Sequence, residues 1–263
     1  MQRQAEIQSA QNPLLKQVRR ALERGSLTAQ GLCVAEGFHL LAEALRSGLR
    51  VPAVLYGGDA EARVEAVLEG RVNTRRVRVR RELLDRISAA ETPQGVIALA
   101  EPPTFRAEEV FRGSGPVVVL DRIQDPGNAG AVARAAEAFG AAGIVMVKGT
   151  VSRWNPKTLR ASAGSLFRLP CLEGVEAREA VALLQRNGRR MLVAAAHSGA
   201  VPWEVDWRAR CALIIGNEAR GAGEEFVSPG SPVHVPTNGV ESLNAAVAAA
   251  VLLYEAMRQR GER

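Results

Sequence analysis

Short apolar runs alternate with amphipathic stretches along the whole chain, and this repetition restricts the architecture more than any single residue does. Leu32-Cys33-Val34-Ala35 and Ala53-Val54-Leu55-Tyr56 read as strands, and Val117-Val118-Val119-Leu120 is short and apolar enough to be a fully buried parallel strand. Between such runs lie segments with helical spacing. Leu14, Leu15, Val18 and Leu22 form one apolar face behind Asn12-Pro13, a helix start, and a second helix is expected from Phe38 to Arg46. Arg76-Val77-Arg78-Val79-Arg80 alternates charge with valine, which predicts a strand with one buried and one basic face. Further strands are expected at 144–147, 191–195, 212–215 and 233–235, and helices at 129–139 and 243–260. Strands joined by crossover helices define an α/β protein, and the pattern predicts parallel sheets in both halves.

Turn and linker chemistry is concentrated at Pro102-Pro103 and Gly113-Ser114-Gly115-Pro116. It predicts an N-terminal domain over 1–104, a linker over 105–115 and a second domain over 116–263, a division that 263 residues can sustain. The longest apolar run, Ala245 to Tyr254, is half of the roughly 20 residues that a membrane span needs. The opening Met1-Gln2-Arg3-Gln4-Ala5-Glu6 has no apolar core for a secretory leader, so a cytoplasmic location is expected. Cys33, Cys171 and Cys211 form no C-x-x-C pair, which excludes a zinc ribbon, a thioredoxin-type site and an even disulfide framework; all three read as small buried side chains. His39, His197 and His234 lack a metal-ligand spacing, and no metal is expected. Fingerprints of dinucleotide enzymes, P-loop NTPases, zinc proteases and serine hydrolases are missing from the sequence.

Thirty-four basic against 28 acidic side chains give a net charge of +6, which favours a polyanionic partner. Each half, 1–113 and 114–263, carries 17 basic and 14 acidic residues, so a basic patch has to be assembled by folding. An aromatic content of 4% argues against a platform on which successive bases stack.

Three predicted strand ends in the second half carry polar and glycine clusters: Asn128-Ala129-Gly130 with Arg134, Gly216-Asn217-Glu218 with Gly221, and Glu241-Ser242-Leu243-Asn244. In an open α/β sheet ligands bind beyond the carboxyl ends of the strands, where three such clusters can converge. Taken singly, each has a plainer reading: Asn128 and Ser242 are good helix caps, and glycines serve turns.

In order and spacing, Asn128-x-Gly130-x-x-x-Arg134, Gly216-Asn217-Glu218-x-x-Gly221 and Pro236…Glu241-Ser242-Leu243-Asn244-Ala245-Ala246-Val247-Ala248 resemble the three signature motifs of the SpoU (TrmH) family of RNA 2′-O-ribose methyltransferases, within the SPOUT superfamily. The resemblance covers about residues 115–260. Ile7-x-Ser9-x-x-Asn12-Pro13-Leu14-Leu15-Lys16 and Val34-x-Glu36-Gly37 resemble the opening of the substrate-binding domain that often precedes this catalytic domain. The resemblance implies a C-terminal parallel sheet flanked by helices and closed by a deep trefoil knot, preceded by a smaller α/β RNA-binding domain. It implies S-adenosyl-L-methionine as cofactor, held through backbone groups of Gly216, Val235 and Leu243, with Asn244 beside them. It implies methyl transfer to a ribose 2′-hydroxyl without a metal, on ribosomal RNA in preference to transfer RNA, by a homodimer packed through the knotted domains with each site completed by the partner.

Arg134 falls where the family's hydroxyl-activating arginine sits, and Asn128 shapes the same pocket by that match. A guanidinium is a poor proton acceptor, so Arg134 is better read as a clamp on the target phosphate that also stabilises oxyanion charge. Glu218, Ser242 and Asn244 match residues that line the pocket and hold Arg134 or the substrate. Lys16, Arg19, Arg20 and the Arg75–Arg81 run would hold RNA through its phosphates. The chain departs from the family pattern at Thr237-Asn238-Gly239-Val240, a loop one residue shorter than usual, which implies a different meeting of loop and cofactor. Three other readings stand beside the leading one: a non-catalytic RNA-binding or ribosome-assembly protein of the same fold, a transfer RNA 2′-O-methyltransferase, and an unrelated α/β nucleotide-binding enzyme.

Overall fold

The computed structural model describes residues 6–261 and divides into two compact units. The first holds the chain up to Pro103 together with Trp154–Arg168; the second holds Thr104–Arg153 and the chain from Leu169 onward. The expected second domain is therefore not contiguous, because a segment from its middle packs with the first unit. The leader reading of Met1 to Ala5 lies outside the described residues.

The first unit contains α1 (Pro13–Arg24), β1 (Cys33–Glu36), α2 (Phe38–Arg46), β2 (Ala53–Tyr56), α3 (Glu61–Val67), β3 (Arg75–Arg78), α4 (Arg81–Ile87) and β4 (Val96–Ala100). Asn12 starts α1 by accepting the Leu14 amide at 2.9 Å, with Pro13 in the first turn, and Gly25 ends it at φ 61°. The buried face of α1, Leu15, Val18, Ala21 and Leu22, joins Val34, Leu55, Val77 and Ile97 in one core. Sheet order is β1-β4-β2-β3, with β4 antiparallel to β1 and β2, so this sheet is mixed rather than parallel. The difference arises because β4 inserts between β1 and β2 and closes the sheet without a crossover. The basic face expected on β3 is largely neutralised: Arg76 pairs with Glu65 at 2.9 Å, Arg78 with Glu61 at 3.1 Å, Arg80 with Glu82 at 3.0 Å, and Arg81 with Asp85 at 2.9 Å.

The second unit runs through α5 (Ala107–Phe111), β5 (Val117–Asp121), α6 (Pro126–Ala138) and β6 (Gly143–Val147). After α7 (Pro156–Ala161), which belongs to the first unit, come β7 (Cys171–Val175), α8 (Ala177–Arg186), β8 (Arg190–Ala194), β9 (Cys211–Gly216), α9 (Glu224–Val227), β10 (Ser231–Val233) and α10 (Ala245–Arg260). The expected linker thus includes a helix. Buried Arg189 fixes its end by donating to the carbonyls of Phe111, Gly113 and Gly115 at 2.9, 2.6 and 2.7 Å. In the first unit the segment carrying α7 is held by Arg160 on Glu36 at 3.1 Å and Arg168 on Glu43 at 2.6 Å, both carboxylates being buried.

All six strands of the second sheet are parallel, in the order β10-β8-β9-β5-β6-β7. Every residue of β5 and β6 is buried, as helices on both faces require. From β5 the chain builds outward to β6 and β7, then resumes on the other side with β8, β9 and β10. The order reverses between β5 and β9, whose ends are level at Asp121 and Gly216. This is the position at which an open parallel sheet leaves a crevice beyond its carboxyl ends. Among the described residues no helix is long and apolar enough to cross a membrane, and no cluster of three or more His, Cys, Asp or Glu side chains is placed to hold a metal.

Candidate active site beyond β5, β8 and β9

Four chain reversals meet at this crevice, and local chemistry fixes each. After β5, Arg122 adopts φ 58°, uncommon for a side chain that large. It is held there from several sides: its amide donates to Thr150 Oγ1 at 3.0 Å, its carbonyl accepts from Asn217 Nδ2 at 3.0 Å, and its guanidinium forks onto Asp121 at 2.9 and 3.0 Å. That hydrogen-bonded carboxylate raises the Arg122 pKa further. Asp121, 1% exposed, also accepts the Gly223 amide at 2.7 Å, which ties the end of β5 to the loop that follows β9.

The loop after β9 folds back on itself, with paired amide–carbonyl bonds of 3.0 and 2.8 Å between Asn217 and Gly221. Asn217 Oδ1 caps the turn by accepting from the Ala219 and Arg220 amides. A Cβ on Gly216 would lie 2.1 Å from the Ala222 nitrogen, so glycine is needed here because the loop's own backbone crosses over it.

Helix α6 begins at Pro126, three residues before the expected start, because Asp125 caps it by accepting the Asn128 amide at 2.7 Å. Asn128 is therefore inside the first turn rather than a cap. Ser242 is not a cap either. Asn244 takes that role for α10, its Oδ1 accepting the Ala246 and Val247 amides at 2.9 and 3.3 Å. Helices α6 and α10 run side by side in the same direction: Asn128 meets Asn244 near their starts, and the rings of Phe139 and Tyr254 meet edge-on near their ends.

Capping orients a chain of amides. With its oxygen committed to α10, Asn244 turns Nδ2 outward and donates to Asn128 Oδ1 at 2.9 Å. Asn128 in turn presents Nδ2 to Glu218 Oε1 at 3.1 Å. One residue from each of the three clusters is thus joined in a directional relay whose amide orientations follow from the network.

Beside the relay opens a cavity of about 510 Å³, lined by Gly216, Glu218, Val235, Ser242, Leu243 and Asn244 together with the small residues Ala194, Ala195, Ala196, Ala245 and Ala248. Glu218 is the one ionisable side chain among these described lining residues. Arg134 is not among them. It lies six residues beyond Asn128 on α6, about 9 Å along the axis, exposed and with no hydrogen bond or ion pair among the described residues. The expected pairing of Glu218 with Arg134 is absent, because Asn128, not Arg134, is the α6 residue that reaches Glu218, and Arg134 lies nearly two turns further along the helix. Thr237 to Val240 do not line the cavity; their turn is closed by Thr237 Oγ1 donating to the Val240 carbonyl at 2.9 Å. Sequence reasoning passed over Asp121, Arg122 and the alanines after β8. Asp121 carried one legible signal, a charged residue ending an otherwise apolar strand.

The model of the SpoU rRNA methylase family matches residues 115–254. The chain belongs to the SpoU family of RNA methylases. A second family model, the MRM3-like substrate binding domain, matches residues 12–98 of this SpoU methylase. The 23S rRNA (guanosine(2553)-2′-O)-methyltransferase RlmP of Bacillus subtilis is 32% identical over 251 residues, covering 95% of this methylase and 98% of that protein. The SpoU methyltransferase AviRb from Streptomyces viridochromogenes, solved with AdoMet, superposes with a TM-score of 0.85 at 29% identity, covering 95% of this chain and 99% of that one. A structure concerned with 2′-hydroxyl methylation of C/U34 on tRNA is 31% identical but covers 57% of this methylase, at a TM-score of 0.52.

Proposed function

We propose that this SpoU methylase acts on ribosomal RNA through the cavity beyond β8 and β9, with Glu218 and Asn244 in its wall and Asn128 joining the two. It is an S-adenosylmethionine-dependent RNA 2′-O-ribose methyltransferase. The Asn244–Asn128–Glu218 relay carries the site assignment, because it ties three separate chain segments to one cavity. The choice of ribosomal over transfer RNA rests on coverage: the 23S rRNA enzyme matches nearly the whole chain, and the tRNA-related structure matches little more than half.

The cavity suits the cofactor. Its volume lies in the usual range for small-molecule sites, its walls combine small and apolar residues with Asn217, Ser242 and Asn244, and its one charged lining residue is negative, which complements a sulfonium. Gly216, Val235 and Leu243 would hold the cofactor, which when bound supplies a methyl group already activated by positive sulfur. The remaining work falls to the chain's own residues. Orientation of the ribose hydroxyl is the larger part, and effects of this kind are worth roughly 7–11 kcal/mol. The hydroxyl proton must also leave. It becomes acidic as the oxygen–carbon bond forms, so a weak base suffices. Glu218 has one oxygen engaged by Asn128, and the other accepts no hydrogen bond among the described residues; that second oxygen is the acceptor in this mechanism. Ser242 lines the entrance and orients the ribose.

Arg134 acts across a homodimer. Val247, Val251 and Tyr254 expose 49%, 39% and 51% of their surface at i, i+4 and i+7 of α10, an apolar stripe that a second copy covers. In that dimer Arg134 of one protomer clamps the target phosphate at the cavity of its partner, which accounts for its exposure outside its own site. Val235 and Leu243, at the two ends of the loop before α10, both line the cavity with residues that end β8 and β9, which supports a trefoil knot as the threading of this segment. Three buried cysteines that form no disulfide suit a reducing cytoplasm.

The test is methyl transfer from labelled S-adenosylmethionine to unmodified ribosomal and transfer RNA, followed by alkaline hydrolysis, since a 2′-O-methyl group blocks cleavage of its linkage. One protected position in ribosomal RNA is expected; labelling of transfer RNA alone would overturn the substrate assignment. Arg134→Ala should keep the dimer and cofactor binding while nearly abolishing methylation, and full activity in that variant would remove Arg134 from the mechanism.

A further inference from the structure

The first unit separates its cations into two groups. On and beside β3, all arginines of the 75–81 run but Arg75 are matched to carboxylates: Arg76 to Glu65, Arg78 to Glu61 and Glu6, Arg80 to Glu82, and Arg81 to Asp85 and Asp59. Those on α1 are not. Lys16, Arg20 and Arg24 are exposed and have neither an ion pair nor a hydrogen bond among the described residues, and the one acid on α1, Glu23, is taken by Arg19 at 2.7 Å. The three unpaired cations stand at i, i+4 and i+8, so they form one straight row with a step of about 6 Å.

Like charges one helical turn apart repel, and no neighbouring carboxylate relieves them. The row is flanked at both ends by depressions whose walls mix polar and apolar side chains. At the start of α1, Glu6, Ser9, Asn12, Pro13 and Arg75 line one of about 540 Å³; Glu6 is paired with Arg78 at 3.4 Å, and Arg75 is the β3 arginine without a carboxylate partner. At its end, Gln17, Arg20, Arg24, Ser26 and Thr28 line one of about 210 Å³. A row of uncompensated cations is suited to a linear polyanion, and a carboxylate-matched surface is not.

We propose that the Lys16–Arg20–Arg24 row of α1 is the track that holds the phosphate backbone of the RNA substrate, and that the carboxylate-matched Arg76 and Arg78 of β3 are structural. This rests on the reading of the chain as an RNA methylase. The row lies outside the buried face of α1, so glutamine at all three positions keeps the helix and its packing.

The experiment compares wild type, the triple variant Lys16→Gln/Arg20→Gln/Arg24→Gln and the control Arg76→Gln/Arg78→Gln on transcribed 23S ribosomal RNA. Filter binding is measured across a salt series, alongside methylation kinetics. Each phosphate contact contributes about 0.7–0.9 to the slope of log affinity against log salt, so the triple variant should lose about 2 from that slope. Its KM for RNA should rise at least tenfold, with kcat and the KM for S-adenosylmethionine unchanged. The control should keep the wild-type slope. An unchanged slope in the triple variant, with wild-type methylation intact, would overturn the track alone. A wild-type protein that neither binds nor methylates the transcript would overturn the functional reading and the track together.

Discussion

Asn244 does two separable jobs, and three substitutions pull them apart. Its oxygen caps α10, and its amide nitrogen starts the relay to Glu218. Asn244→Ala removes both. A lost cap costs about 1 kcal/mol and a lost hydrogen bond about 1 kcal/mol more. If the second unit, about 145 residues, unfolds by itself, its entropy of unfolding is about 0.3 kcal/mol/K, and the combined loss lowers its Tm by about 7 °C. Asn244→Asp keeps the cap and loses the hydrogen bond alone, so its Tm should fall by about 3 °C, half the loss of the Ala variant. It cannot donate, however, and its carboxylate opposes Asn128 Oδ1. Asn128 then either loses its partner or turns its own oxygen onto Glu218. Hydrogen bonds to charged groups are worth about 1.5–3 kcal/mol, and since Glu218 is solvent-exposed the lower end applies, so kcat/KM should fall about tenfold. Asn244→Ser, which can cap but not reach, should resemble Asp in stability and in activity. Thermal melts and methyl incorporation into transcribed ribosomal RNA read the two effects separately. An Asn244→Asp enzyme with wild-type kcat/KM would refute the relay, and one that melts like Asn244→Ala would refute the assignment of the cap.

Three other outcomes follow from the same geometry. Gly216→Ala should weaken S-adenosylmethionine binding at least tenfold in calorimetry while leaving the far-ultraviolet spectrum intact, because its Cβ would meet the Ala222 nitrogen at 2.1 Å and push the 217–223 loop aside. Asp121→Asn should destabilise the protein by about 2 kcal/mol in urea, since it breaks a fork onto Arg122 in which one partner is buried and the other half-exposed; an unchanged midpoint would show that the loops hold without it. All three thiols should resist alkylation at pH 8 until the protein is unfolded: each is buried, and burial pushes Cys171 up to about 12 and Cys211 up to about 11. Rapid labelling of the native protein would contradict that burial.

Much of the site was legible because its chemistry is local. Asn128, Glu218, Ser242 and Asn244 follow strand ends, where polar residues next to glycine interrupt apolar runs, and the order of the three clusters matched a family. Their exact duties were not legible. Asn128 and Ser242 have the side chains of helix caps, yet Asp125 and Asn244 do the capping, and only the placement of α6 beside α10 decides this. The purpose of Gly216 changed for a similar reason, because the strand it ends is crossed by its own loop.

The sequence by itself determined what depends on neighbours along the chain: the helix start at Asn12-Pro13, the apolar strands, the α/β class, and the motifs that identify the family. Tertiary structure decided what depends on residues far apart. It set β4 between β1 and β2 and so made the first sheet mixed. It moved Trp154–Arg168 into the first unit through Arg160 on Glu36 and Arg168 on Glu43, pairs more than 120 residues apart. It also matched Arg76 and Arg78 of β3 to carboxylates and left the α1 row uncompensated, a distinction invisible to a count of charges. An ion pair depends on distances of a few ångströms between side chains, and composition fixes how many charges a surface carries but not which of them meet.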